Sequence, residues 1–138
     1  LCTLLNGKNY QKFVPRGKFI GNDPFNKWIK PSCVLICEDD YSNGQGFPLV
    51  YKTLGIGKLI GAPIAGTMTA VWWETLLDPS LVYGIPQVGC MSLDGVYSEN
   101  TQLNPDITVY NSPEDYLSGN DRQLKAAVEE MLKVIDKK

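Results

Sequence analysis

Residues 32–54, SCVLICEDDYSNGQGFPLVYKTL, change hydrophobic period in mid-stretch, and such a change requires a strand that passes directly into a helix. SCVLIC is a short continuous apolar run rich in β-formers, which predicts a strand buried on both faces. Phe47, Val50, Tyr51 and Leu54 then recur at i, i+3, i+4 and i+7, one stripe of a helix. Pro48 suits a first helical turn and Gly55 is placed to end the helix. The polar stretch between them therefore reads as a tight strand-to-helix turn, with Ser42 in it.

A serine so placed has two readings. Rigid flanks would hold its hydroxyl, and neighbouring N–H groups at the helix N-terminus could face a developing oxyanion, which is the geometry acyl transfer requires. Ser-Asn-Gly is equally ordinary turn chemistry, and serine or asparagine often caps a helix with no catalytic duty. A serine nucleophile needs a base to take its proton, and the 138 residues contain no histidine. Either Ser42 is a turn residue or its base lies outside this chain.

The rest of the chain reads as mixed α/β. Residues 1–31, rich in Gly, Pro, Asn and Lys with scattered aromatics, predict an irregular connecting segment built to lie on something. KLIGAPI (58–64), TAVWWETLL (69–77), two runs between 81 and 92, and DITVY (106–110) predict further strands. Leu124, Ala127, Val128, Met131, Leu132 and Ile135 form a long helical stripe over 121–135, opened by Asn120 with Gln123 three residues on as a capping arrangement. No internal repeat or low-complexity segment interrupts this order.

Composition excludes several classes. The length suits one domain, and 43% hydrophobic with 20% charged residues argues against extended disorder. A net charge of −2 gives no electrostatic reason to expect nucleic acid. No apolar run is long enough for a membrane helix, and LCTLLNGKNYQKF lacks the basic start and apolar stretch of a signal peptide. A chain opening on leucine is expected to have lost its true beginning.

Other motifs read more plainly. Cys2, Cys33, Cys37 and Cys90 form no C-x-x-C pair and, without histidine, offer no usual zinc constellation, so neither metal nor cofactor is expected. Cys33 and Cys37 read as core packing, and the disulfide state stays open. GIGKLIG (55–61) follows a helix and has the wrong spacing for a phosphate loop; its glycines suit helix termination and close backbone turns. Asp94, Glu99 and Asp106 share a polar stretch that reads as a solvated loop on composition. Trp72-Trp73 suits strand packing better than a ligand cage, because neighbouring strand residues point to opposite faces.

Three stretches taken together carry a resemblance: VLICEDDYSNGQGFPLVYKTLGIGKLIGAPIAGT, then DGVYSENTQLNPD, then SPEDYL with DRQLKAAV. In this order they resemble the C-terminal half of the catalytic domain of tricorn-type serine peptidases, within the C-terminal processing peptidase superfamily. They cover most of residues 33–130. The resemblance implies a ClpP/crotonase-like α/β peptidase core, here partial, with a mixed sheet and flanking helices, in which 32–138 is the C-terminal part of the catalytic domain. It implies a serine endopeptidase or processing peptidase acting through an acyl-enzyme on Ser42, with the backbone N–H of Asn43 in the oxyanion hole. Glu99 aligns with the acidic member of the charge system, which acts through a second serine to orient the catalytic histidine.

Two departures qualify the match. Ser-Lys processing peptidases place a lysine where this chain has Thr67, which points to histidine as base; in the tricorn-type pattern that histidine precedes the region seen here. Gln102 stands where glycine is usual. The implied partners are a peptide or protein substrate, the N-terminal half of the same protein, and further copies of the chain through self-association. Bacterial relatives are often exported, which leans the compartment to extracytoplasmic. The rival reading is a catalytically inactive module that grips extended peptides by strand addition; an acyl-CoA enzyme of crotonase type is the poorer third, because no CoA-directed feature is evident.

Overall fold

A computed structural model describes residues 1–28 and 30–136. In chain order its elements are α1 (Cys2–Leu5), β1 (Gln11–Phe13), β2 (Gly21–Asp23), β3 (Cys33–Ile36), α2 (Asn43–Thr53), β4 (Lys58–Gly61), β5 (Ala70–Thr75), β6 (Val82–Val88), β7 (Ile107–Thr108), α3 (Pro113–Ser118) and α4 (Arg122–Ile135). The class is mixed α/β, as the alternation of periods predicts.

β3, β4 and β7 form a parallel sheet in that order, with Cys33 opposite Lys58 and Ile60 opposite Ile107. Parallel neighbours cannot be joined by a hairpin, and α2 supplies the crossover from β3 to β4. Ile36, Tyr51, Leu59, Ile64 and Leu103 are the buried centre. The Tyr51 hydroxyl meets Ser32 Oγ at 2.8 Å, so its one polar atom is satisfied. α4 lies against β3 and β4, where Lys58 pairs with Glu130.

Asp106 ties α2 to this sheet. Its Oδ2 accepts the N–H of buried Leu59 at 2.8 Å, and its Oδ1 lies 3.0 Å from Lys52 Nζ, which also donates to the carbonyl of Asn104. Burial pushes the Asp106 carboxyl up, but the Leu59 N–H and the Lys52 ammonium outweigh it and hold the group below the usual range. The Lys52 pair is partly solvated and contributes at most about 1 kcal/mol. The Leu59 bond weighs more, because its loss strands a buried N–H. Asp106→Ala is expected to destabilise the chain by about 2 kcal/mol in urea titration; a change within experimental error would show that water replaces the carboxylate.

Several expectations are corrected. β3 is not buried on both faces: it is the outer strand and Leu35 is 41% exposed. α2 begins at Asn43, so Pro48 falls inside the helix, and the buried line runs through Gln45, Pro48 and Tyr51 while Val50 and Leu54 stay exposed. α4 is capped by Asp121, whose side chain accepts the Leu124 N–H, and not by Asn120; Gln123 donates instead to the carbonyl of Val109. The two runs between 81 and 92 make the single strand β6. Residues 1–31 hold α1 and the antiparallel pair β1–β2, with Phe13 stacked on Phe25 at 5.3 Å. The β5–β6 hairpin packs little: Trp72 and Trp73 stand on its opposite faces, 62% and 67% exposed.

Candidate active site

The chain between β3 and α2 makes two tight turns. Asp40 Oδ2 accepts the N–H of Cys37 and the Asp40 N–H returns to the Cys37 carbonyl, which folds 37–40 back sharply after the strand. Ser42 follows with φ 53° and ψ −120°, a backbone conformation that L-residues rarely adopt. It stands at the N-cap of α2, yet its side chain makes no capping bond and is exposed. The capping alternative is therefore not realised. Serine at positive φ costs about 1–3 kcal/mol, and the surroundings must impose it.

The imposing contact is a backbone one. The Ser42 N–H donates to the carbonyl of Thr67 at 2.8 Å, while the Ser42 carbonyl accepts from Gln45 and Gly46 and so starts the helix. Asn43 is the first residue of α2, where N–H groups lack intrahelical acceptors and the helix dipole favours negative charge. Thr67, at the position of the absent lysine, thus touches the serine turn through its backbone. Its hydroxyl is no base at neutral pH.

Glu99 is held two residues further along the same segment. Its Oε2 accepts the N–H of Met68 at 2.7 Å, the N–H of Thr69 at 2.7 Å and the Thr69 hydroxyl at 2.8 Å. The Thr69 hydroxyl and then the two N–H groups hold its carboxyl below the ordinary value of 4.5. It is an ordered carboxylate rather than a solvated loop charge. Because its pKa is lowered on folding, its stabilisation is present above the unfolded pKa and lost as pH falls through the folded one. Glu99→Gln should therefore destabilise the chain more at about pH 7 than at about pH 3; equal urea midpoints shifts at both values would contradict these bonds.

The structure thus brings Ser42, Asn43 and Glu99 to one region through residues 67–69, although they are separated by most of two motifs in sequence. Asp94 and Asp106 are not part of this cluster: Asp106 serves the sheet, and Asp94 stands at the rim of a cleft. That cleft, about 500 Å³, runs along the middle and last turns of α2 and is lined mainly by Leu49, Val50, Leu54, Met68, Cys90 and Leu93. Gly46 and Met68 in its wall adjoin the serine turn. Sequence reasoning missed Gln45, Thr67 and Thr69 as contributors. None of the three left a signal in the sequence, because each acts through hydrogen bonds to groups far along the chain.

Among the described residues no three histidine, cysteine, aspartate or glutamate side chains cluster to hold a metal ion. Among the same residues no helix is long and apolar enough to cross a membrane.

The chain is similar to known proteins over most of its length. The sequence model of peptidase family S41 matches residues 5–109. The tricorn protease of Thermoplasma acidophilum is 31% identical over 102 residues, covering 72% of this chain and 10% of that protein. The crystal structure of the tricorn protease superposes with a TM-score of 0.79 at 27% identity, over 94% of this chain and 13% of the other. Mature CPAF shares the fold, with a TM-score of 0.62 at 24% identity over 85% of this chain and 21% of its own. This chain therefore spans about a tenth of the tricorn protease.

Proposed function

The chain belongs to peptidase family S41, and from that premise we propose that it carries the nucleophile side of a serine peptidase site. In this reading Ser42 Oγ is the nucleophile, Asn43 N–H an oxyanion donor and Glu99 the orienting carboxylate. The observation that carries it is Ser42 itself: exposed, uncapping, and held at φ 53° at the head of an 11-residue helix. Strain of that kind persists where function uses it.

The base comes from polypeptide outside these residues, because none of the 138 is histidine. That imidazole takes the Oγ proton as Oγ attacks the scissile carbonyl carbon, and the oxyanion forms within reach of the helix N-terminus. Collapse breaks the C–N bond, and the imidazolium gives its proton to the departing amine. Water, deprotonated by the same base, then attacks the ester carbonyl and releases the acid with Ser42 reprotonated. Glu99, fixed through Oε2 by residues 68 and 69, keeps its negative charge throughout. Uncovered apolar surface on β3 and α4 is consistent with further polypeptide completing the domain.

The apolar cleft beside α2 is the place for a substrate side chain next to the scissile bond. Peptides with leucine there are expected to have kcat/KM values on the order of 100-fold above those with aspartate, which the cleft cannot solvate. A reversed order would remove the cleft from the site.

Fluorophosphonate labelling of the full-length protein tests the reading. Ser42 Oγ displaces fluoride from phosphorus only if a base removes its proton, so an adduct mapped to Ser42 and absent in Ser42→Ala supports the peptidase. A folded protein that takes no adduct favours the second reading, an inactive peptide-binding module, for which the lack of histidine is the supporting observation.

A further inference from the structure

Gln45 is 1% exposed, three residues after Ser42 in the first turn of α2. Its Oε1 accepts the N–H of Thr67 at 2.8 Å, and its Nε2 donates to the carbonyls of Ser98 at 3.3 Å and Thr101 at 3.4 Å. One side chain therefore joins three segments: the nucleophile helix, the 67–69 stretch and the loop that carries Glu99. Thr67 is fixed from both sides of its residue, its N–H by Gln45 and its carbonyl by Ser42. Met68 and Thr69, the next residues, present their N–H groups to Glu99.

Only a primary carboxamide offers one acceptor and two donors in a plane. Glutamate at this position would set an anion against two carbonyl oxygens in a buried place, and methionine would keep the shape and lose every bond. We propose that Gln45 is a positioning residue of the peptidase site: its amide fixes the N–H of Thr67, the residue whose carbonyl holds Ser42 at positive φ, and sets the Glu99 loop in register with it. The inference rests on the reading of Ser42 as nucleophile. It explains why a polar side chain occupies a buried helical line otherwise made of Pro48 and Tyr51. Without the amide, the Gly66–Thr67 peptide loses its anchor and Thr67 is held only through the following peptide, whose carbonyl meets Ser42 and whose Met68 N–H meets Glu99. Thr67 then shifts, its bond to the Ser42 N–H weakens, and Ser42 relaxes toward an unstrained conformation.

The test uses the full-length protein with Gln45→Met and Gln45→Glu. The rate of fluorophosphonate labelling at Ser42, kcat and KM for a peptide, and amide hydrogen exchange at residues 67–69 are measured on folded samples. Gln45→Met is expected to lower labelling and kcat together on the order of 100-fold, with KM little changed, and to speed exchange at Thr67. Gln45→Glu is expected to add an ionisation to the pH profile. Its buried carboxyl has a raised pKa, and its protonated form restores one donor and one acceptor, so labelling falls as pH rises through that pKa. A purely structural glutamine would lower the unfolding midpoint and leave these rates and profiles alone, and that result overturns the inference, as does unchanged exchange at Thr67. An unmodified protein that takes no adduct overturns the Ser42 reading instead, whereas one that labels beside an equally fast Gln45→Met overturns this inference alone.

Discussion

Ser42→Gly in the full-length protein is expected to abolish peptide hydrolysis and, at the same time, to make the protein more stable. Removing a serine nucleophile lowers kcat by roughly 10⁶-fold where the rest of the site stays intact. Glycine meets no steric penalty at φ 53°, so the backbone strain stored at this residue is released, and stability should rise by about 0.5–1 kcal/mol. Ser42→Ala is the control. It removes the same hydroxyl but keeps a Cβ at positive φ, so it loses activity without gaining stability. Hydrolysis of a reporter peptide and urea titration of the two variants side by side decide the matter. Loss of activity with no stability difference between them would mean that Ser42 is unstrained, and retained activity would remove it from the chemistry.

The second large effect concerns Gly61, the last residue of β4. Its φ is +135°, and a Cβ built there would fall 1.9 Å from the carbonyl oxygen of Ile36. That oxygen also accepts the N–H of Ala62, so it cannot move aside without breaking the sheet. Ile36 closes β3 immediately before the turn that leads to Ser42, and any separation of β3 from β4 there displaces the serine. Gly61→Ala is expected to cost about 4 kcal/mol or more, a large share of a domain's whole stability. Gly55→Ala provides the comparison: its φ is +62° but a Cβ there meets nothing within 4 Å, so only backbone strain of about 1 kcal/mol opposes it. Urea midpoints for the two variants that agree within error would mean that β3 and β4 are less closely apposed than this.

Much of the fold was legible because period and punctuation are local signals. The change from SCVLIC to the Phe47–Leu54 stripe marks β3 and α2, and Gly55 ends α2 with a left-handed residue as its place predicts. Boundaries fared worse. Pro48 suggested a helix start, yet α2 opens earlier, because Ser42 reverses the chain and its carbonyl already accepts the first helical N–H groups. Asn120 and Asp121 are both competent caps; Asp121 takes the role because its carboxylate reaches Leu124 N–H, while Asn120 closes onto Asp115. Exposure was the least legible property. Leu35, Trp72 and Trp73 have the composition of interior residues, but α4 covers Leu35 only in part, and the two tryptophans stay largely exposed on their hairpin.

For the site, residue types and their spacing placed Ser42 in a strand-to-helix turn and left its role open; the resemblance alone pointed to Ser42, Asn43 and Glu99 as site residues. The same spacing said nothing of Gln45, Thr67 or Thr69, because hydrogen bonds to backbone groups depend on where the chain returns in space and leave no fixed interval in sequence. Hydrophobic period, turn residues and the absence of histidine belong to the sequence alone, since each is a property of neighbouring residues or of the inventory. The tertiary structure alone decided that Ser42 is held at positive φ by Thr67, that Glu99 is bound by residues 68 and 69, and that one buried amide links the two. Those contacts span 22 to 56 positions of the chain, and only folding brings such groups within the 3 Å or so over which a hydrogen bond acts.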